Sequence, residues 1–286
     1  MQKIDLTKTK DVIGAYKSID FSYERKTYTD YGTQYCFDVL DGKIVAGYNI
    51  QLACFRHLRD LQRQGDSDFP YVYSVDAFNR FLKFLSLVPN VDDLSQKLEP
   101  MDWQYFIFAQ LFAWFDLDNV PRFSNIIISI ARSQGKTMIA GICLNFSYLI
   151  EIIGQSNQDF LVSSLNFDQT MKLFTYVKSM MARIIENEPF KSLAEETQLQ
   201  LYSREIKSLV DANTIHTISF ESGKFDGKHF KTAISDEVGE LRTDEGISKI
   251  TSGQVNTEGS RFIEISTSYQ TPDVPFHQEQ KKLIEI

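Results

Sequence analysis

NIIISIARSQGKT, residues Asn125 to Thr137, is the stretch on which the fold turns. Its short β-branched run reads as a fully buried strand, and the polar turn after it ends in Gly135-Lys136-Thr137 before a helical pattern that runs from Met138 to Ile153. Strand, loop, Gly-Lys-Thr and helix are the layout of a phosphate-binding loop, the P-loop. Backbone N–H groups of such a loop face one concavity and wrap phosphate oxygens, the lysine neutralises charge on the β and γ phosphates, and the Thr hydroxyl reaches Mg²⁺. In the common pattern G-x-x-x-x-G-K-[ST] the first glycine would fall at position 130, which here is Ile130.

Downstream, Phe160 to Ser164 reads as a second short strand and Asn166 to Glu186 as a long helix with an apolar face of Phe167, Met171, Phe174, Val177 and Met181. Residues 187–214 are mixed, and Ile215 to Phe220 is a strand. Phe230 to Asp236 is another, and Glu237 follows it directly. An apolar run that ends in Asp-Glu supplies the other side of a P-loop site: Asp236 for the Mg²⁺ shell and Glu237 to polarise the attacking water. Arg261 to Ile265 is a further strand that runs into Ser266-Thr267-Ser268, small hydroxyl residues at the strand end where ligands bind in open α/β sheets.

Upstream, residues 1 to about 45 look like a peripheral arm, with Asp41-Gly42 as a hairpin signal. Asn49 to Gln64 is an amphipathic helix whose apolar side carries Leu52, Phe55, Leu58 and Leu61. Its polar side carries Arg56, Arg59 and Arg63, either a surface for DNA or a neighbouring subunit, or a solvated face paired with local carboxylates. Asp76 to Leu87 repeats the amphipathic pattern. Leu98 to Phe115 reads as a helix, with Pro100 in a position suited to its first turn, and becomes densely aromatic; Trp103-Gln104 within it suits adenine, because a glutamine amide matches the N6 and N7 edge and the indole can cover the base.

The 286 residues suffice for one large domain or a domain with an extra lobe, and 43% hydrophobic with 24% charged residues excludes general disorder. A net charge of −8 excludes a surface coated in positive potential, though not a motor that gathers a few basic residues on one face. Cys36, Cys54 and Cys143 are widely separated in apolar surroundings and read as reduced core residues. The N-terminus lacks the apolar core of a signal peptide, and Arg132, Gln134 and Lys136 interrupt the most hydrophobic stretch, so no membrane span is expected.

Together these pieces resemble the ATPase domain of tailed-phage terminase large subunits, from about Asp41 to Gln278. The resemblance rests on LACFRHLRDL (52–61), Trp103-Gln104, Ala131 to Thr137, Phe225-Asp226-Gly227, Ser235-Asp236-Glu237 and Ser266-Thr267-Ser268. In that family the loop commonly lacks its first glycine and carries an early arginine, so Ile130 fits the resemblance and Arg132 becomes a candidate for γ-phosphate sensing.

The resemblance implies an ATP- and Mg²⁺-dependent hydrolase that moves double-stranded DNA into a procapsid. Trp103 and Gln104 would contact adenine. Ser133, Gln134, Gly135, Lys136 and Thr137 would hold phosphate, Thr137 and Asp236 the metal. Glu237, Lys136 and Arg132 would carry catalysis, and Ser266, Thr267 and Ser268 coupling. Copies of itself in a ring, a portal and a small terminase subunit are the implied partners, in the host cytoplasm, with Arg242 and Lys249 as candidates to act across a subunit boundary. The expected architecture is α/β, a mostly parallel central sheet sandwiched by helices, of the P-loop NTPase additional-strand type, with an N-terminal helical lobe. The expected division is 1–98 for arm and lobe and 99–286 for the ATPase core, with the family's nuclease domain and its activity absent from this chain. A helicase-like nucleic-acid-dependent ATPase and a non-catalytic nucleotide-binding scaffold are the alternatives. The first needs a second motor lobe, and Lys136, Asp236 and Glu237 argue against the second.

Overall fold

The computed structural model describes residues 4–6, 9–91, 93–267 and 274–285. The chain divides into two compact units, Met1–Leu82 with Glu99–Phe123 and Lys83–Leu98 with Ser124–Ile286. The division crosses the expected boundary at 98/99, since residues 99–123 group with the first unit and 83–98 with the second.

The first unit is helical from Val12 onward, within the stretch expected to be a peripheral arm. It holds α1 (Val12–Lys17), α2 (Ser22–Thr27), α3 (Tyr31–Leu40), α4 (Tyr48–Gln62), β1 (Tyr71–Tyr73), α5 (Val75–Leu85), which runs on past its boundary, α6 (Asp102–Ala113) and β2 (Trp114–Asp116). Asp11 caps α1 and Asp30 caps α3, each carboxylate accepting a backbone N–H of the first turn. α3 buries Tyr35, Cys36, Phe37, Val39 and Leu40. The Asp41-Gly42 hairpin does not form. Asp41 closes α3, Gly42 takes the left-handed φ of +80° that suits a helix end as well as a hairpin, and the Asp41 carboxylate accepts from Tyr16 and Arg25. The expected helix over 98–115 is shorter. Met101 caps it, and its last residues leave as β2, antiparallel to β1 with Tyr73 opposite Trp114.

The arginines of α4 are engaged locally. Arg63 pairs with Asp60 at 2.9 Å and lies over Phe69, Arg59 donates to Gln62, and Arg56 lies over Phe123. Arg122, at the end of this unit, pairs with the same Asp60 at 2.8 Å and sits among the rings of Phe69, Tyr71, Trp114 and Phe123. Asp60 is 2% exposed, so two cations depend on one buried carboxylate. Asp60→Asn is expected to cost about 3 kcal/mol in urea unfolding by leaving Arg122 buried and uncompensated; a loss below about 1 kcal/mol would show the ring contacts alone suffice.

In the second unit the strands are β3 (Asn125–Ser129), β4 (Asp159–Ser163), β5 (Leu199–Leu201), β6 (Glu205–Ser208), β7 (Thr214–Thr217), β8 (Phe230–Asp236) and β9 (Arg261–Ser266). Among the described residues they form one sheet in the order β3-β9-β8-β4-β7-β6-β5. The first five are parallel, and β6 and β5 extend the sheet antiparallel. Flanking helices are α7 (Lys136–Phe146, continued by a π turn to Glu151), α8 (Phe167–Ile184), α9 (Phe190–Glu196), α10 (Glu245–Gln254) and α11 (Pro275–Glu285). This is the expected mostly parallel α/β sheet. β8 has the bounds read from sequence. The regular part of β7 ends at Thr217, although Ile218 and Phe220 still donate to carbonyls of Val162 and Ser164.

The buried face of α8 is Leu173, Phe174, Val177, Met180, Met181 and Ile184; Phe167, expected inside, is 40% exposed beneath Arg204. α8 packs closely on α7, where a Cβ on Gly141 would stand 3.1 Å from the Met180 sulfur. The three cysteines are free and buried. Among the described residues no helix is long and apolar enough to cross a membrane.

Candidate active site

The register brings four strand ends together. Ser129 stands beside Ser266, Asp236 beside Ile265, and Ser163 beside Ser235, so β9 lies between the strand that feeds the loop and the strand that ends in the acidic pair. This is the carboxyl edge of a parallel sheet, where open α/β folds bind ligands.

Ile130 shows why no glycine is needed there. Its φ is negative and its N–H donates to the Ser266 carbonyl at 3.3 Å, so it prolongs the β3 ladder. The turn is made further on, by Ser133 at φ +60° and Gly135 at φ +78°. Alternating left-handed residues curl a loop so that successive N–H groups converge on one hollow. Gly135 takes that conformation without strain and starts α7, whose positive end faces the same hollow. Lys136 is the first residue of α7. Its side chain folds back, 9% exposed, with Nζ 3.4 and 3.3 Å from the carbonyls of Ile130 and Ala131. Arg132, Ser133 and Gln134 are exposed on the loop, and Thr137 is half-buried on the first turn.

Across β9, the end of β8 is held tightly. Ser164 donates from Oγ to the Asp236 carbonyl at 3.1 Å, and Thr170 Oγ1 accepts the Ser164 N–H at 3.0 Å. Glu237 has φ +58°, rare for a residue with a Cβ, and its N–H donates to Asp236 Oδ1 at 2.8 Å. Such a strained position persists where the surroundings over-determine it. The following turn is fastened to β9, since the Gly239 N–H donates to Ser266 Oγ at 3.0 Å. Thr267 is buried and Ser268 lies outside the described residues.

Burial, and then the charge of Glu237, push Asp236 up to about 6; the Glu237 N–H, Lys136 and Lys172 pull the other way. Lys136 therefore acts electrostatically on the acidic pair as well as on the loop. Sequence reading missed Lys172, exposed on α8, and the fastening of Asp236 by Ser164. The signal for Ser164 was present, a small hydroxyl residue closing a central strand as Ser266 does. Asp236 is ionised above pH 6 and neutral below it, so kcat/KM for Mg·ATP should fall on acidification with a midpoint near 6, and Lys172→Ala should move that limb to higher pH. A limb that stays near pH 4 in both proteins would contradict this environment.

Among the described residues no three His, Cys, Asp or Glu side chains converge as a metal cage. The donor set of one carboxylate and a threonine hydroxyl fits Mg²⁺, which keeps several waters and takes other oxygens from phosphates. Trp103 and Gln104 belong to the first unit. Gln104 is 3% exposed, and its Oε1 accepts the Met101 N–H at 3.0 Å, so the amide carries a helix cap.

The family model described as the terminase large subunit ATPase domain matches residues 102–283. The large terminase of bacteriophage HK97 superposes with a TM-score of 0.59 at 20% identity, over 73% of this chain and 41% of that one. That likeness is one of fold. The large terminase ATPase domain of Thermus phage P74-26, in a mutant form, aligns with a TM-score of 0.49 at 14% identity, over 72% of this chain and 74% of that one. This chain thus spans 41% of the HK97 protein's length. A search of curated proteins finds no match.

Proposed function

The chain belongs to the terminase large subunit ATPase family, and from that premise we propose that it hydrolyses ATP at the carboxyl ends of β3, β9 and β8 and drives double-stranded DNA into a viral procapsid. The observation that carries the reading is the coupling of one buried lysine to both halves of the site: Lys136 lies against the loop carbonyls and acts on Asp236 one strand beyond.

In this reading the N–H groups of the loop from Ser133 to Thr137 take the phosphates, and the Lys136 ammonium turns from its carbonyls to the β and γ oxygens. The Thr137 hydroxyl and the Asp236 carboxylate would hold a Mg²⁺ ion arriving with the nucleotide, whose charge would offset that of the phosphates. Glu237 orients and polarises the water for in-line attack, and Arg132, exposed at the loop, meets the γ-phosphate. Ser266 and Thr267 lie between the two halves, and the Ser266 bond to Gly239 ties the turn after Glu237 to β9. Loss of the γ-phosphate felt at Glu237 would reach β9 through that bond. Ser268 completes the proposed coupling segment, and Trp103 with Gln104 the proposed adenine contact. Copies of the chain in a ring, a portal and a small subunit are the partners proposed with this role, and Arg242 and Lys249 remain candidates to act in a neighbouring copy.

Phosphate release from Mg·ATP, with and without double-stranded DNA and across protein concentration, tests the proposal. Stimulation by DNA and a specific activity that rises with concentration are expected. A rate indifferent to both would leave an ATPase without the motor role.

A further inference from the structure

β9 is buried along its whole length, and its fourth residue is a glutamate. Glu264 is 1% exposed. Its register neighbours are Ile127 on β3 and Ser235 on β8, neither able to offset a charge. The turn and α11 packed nearby add Val238, Val274 and Phe276, which cluster with Ile127 and Leu241. Among the described residues the charged group that acts on Glu264 is Glu279 of α11, which is hydrogen-bonded to it. Two carboxyl groups can share a hydrogen bond only if one keeps its proton. Ser163, Ser235 and Glu264 form a row across β4, β8 and β9, and Ser163 Oγ, Ser235 Oγ and Glu264 Oε2 are all buried with no hydrogen-bond partner for these atoms among the described residues. The bond to Glu279 is what ties Glu264.

We propose that Glu264 and Glu279 form a proton-sharing latch that holds α11 against β9 and thereby positions Ser266 and Thr267 at the end of the same strand. The link from the latch to Ser266 and Thr267 as coupling residues rests on the reading of the site given above; the latch itself does not.

Burial first, and then the neighbouring carboxyl, push Glu264 up to about 8. Its ordinary value is 4.5, so the stability supplied by the retained proton is complete below pH 4.5 and is lost as pH rises through about 8. Above that, two carboxylates face each other in apolar surroundings and α11 lifts from the sheet.

The test is NMR titration of the full chain carrying ¹³C-labelled glutamate side chains, with Glu264→Gln and Glu279→Gln beside it. One carboxyl carbon with a midpoint near pH 8, absent in Glu264→Gln and shifted down in Glu279→Gln, is the expected result. All glutamate carbons titrating below pH 6 would overturn the latch. Tryptic cleavage at Lys281 and Lys282, exposed on α11, reads the opening. Relative to Glu279→Gln, cleavage of the wild type should rise about tenfold between pH 7 and 9, as the deprotonated fraction does; a constant ratio would also overturn it. For the positioning role, kcat of the wild type should decline above pH 8 with KM unchanged while that of Glu279→Gln does not. A flat wild-type kcat would break the link to Ser266 and Thr267. Absence of turnover at every pH would instead count against the hydrolase reading and leave the latch to be decided by the titration.

Discussion

Glu237→Gln should lower single-turnover phosphate release by about 10³-fold while leaving the affinity for Mg·ATP within about threefold, because general-base assistance accounts for roughly 10² to 10⁴ in rate and little in binding. The amide has the shape of the carboxyl but cannot polarise the attacking water. It also spares the backbone, where the Glu237 N–H bond to Asp236 Oδ1 and the φ of +58° set the turn. A second variant separates chemistry from folding. Glu237→Gly removes the Cβ from a left-handed position that costs about 1 kcal/mol, so the protein should be as stable as the wild type or more so, and equally inactive. A Glu237→Gln protein releasing phosphate within twofold of the wild-type rate would remove Glu237 from the mechanism.

Lys136→Ala should lose both functions. Removing the ammonium deprives the phosphates of their counter-charge as they bind and as charge develops, and loss of one such preorganised group costs about 10² to 10³ in rate. Nucleotide affinity falls as well, because the same group meets the ground state. The fold should tolerate the change at about 1 kcal/mol, since among the described residues Nζ makes two long contacts, to the Ile130 and Ala131 carbonyls. Lys136 also pulls down the pKa of Asp236, so its loss should move any residual acid limb to higher pH. Lys136→Arg should not rescue, because a planar guanidinium fork does not fit where a compact ammonium lies against two carbonyls. Fluorescent-nucleotide titration and phosphate release measure the two losses; parental turnover in Lys136→Ala would refute the assignment.

The core of the site was legible because each of its parts is local in sequence. A β-branched run followed by Gly135-Lys136-Thr137, and an apolar run ending in Asp236-Glu237, declare themselves within a dozen residues each. That β9 lies between β3 and β8 is a tertiary fact, and so is the fastening of Asp236 by Ser164, 72 positions away. The N-terminal segment misled because Asp41-Gly42 serves a helix end and a hairpin equally well, and only the burial of Cys36 and Phe37 chooses between them. The arginines of α4 illustrate the same limit. Their spacing was visible, but the rings of Phe69 and Phe123 that they lie over come from two separate stretches of the first unit, which only the fold brings together. Glu264 could not be found from pattern at all, since Arg-Phe-Ile-Glu-Ile reads as an ordinary strand until the sheet closes over it.

Amide hydrogen exchange of the wild-type chain, with and without Mg·ATP, tests directly whether the loop is a phosphate cradle. Backbone N–H groups that donate to phosphate oxygens should gain protection over residues 131–137 when the nucleotide binds, and Lys136→Ala should show no such gain at the same nucleotide concentration. Saturating Mg·ATP that leaves exchange over 131–137 unchanged in the wild type would contradict the assignment of this loop as the nucleotide site.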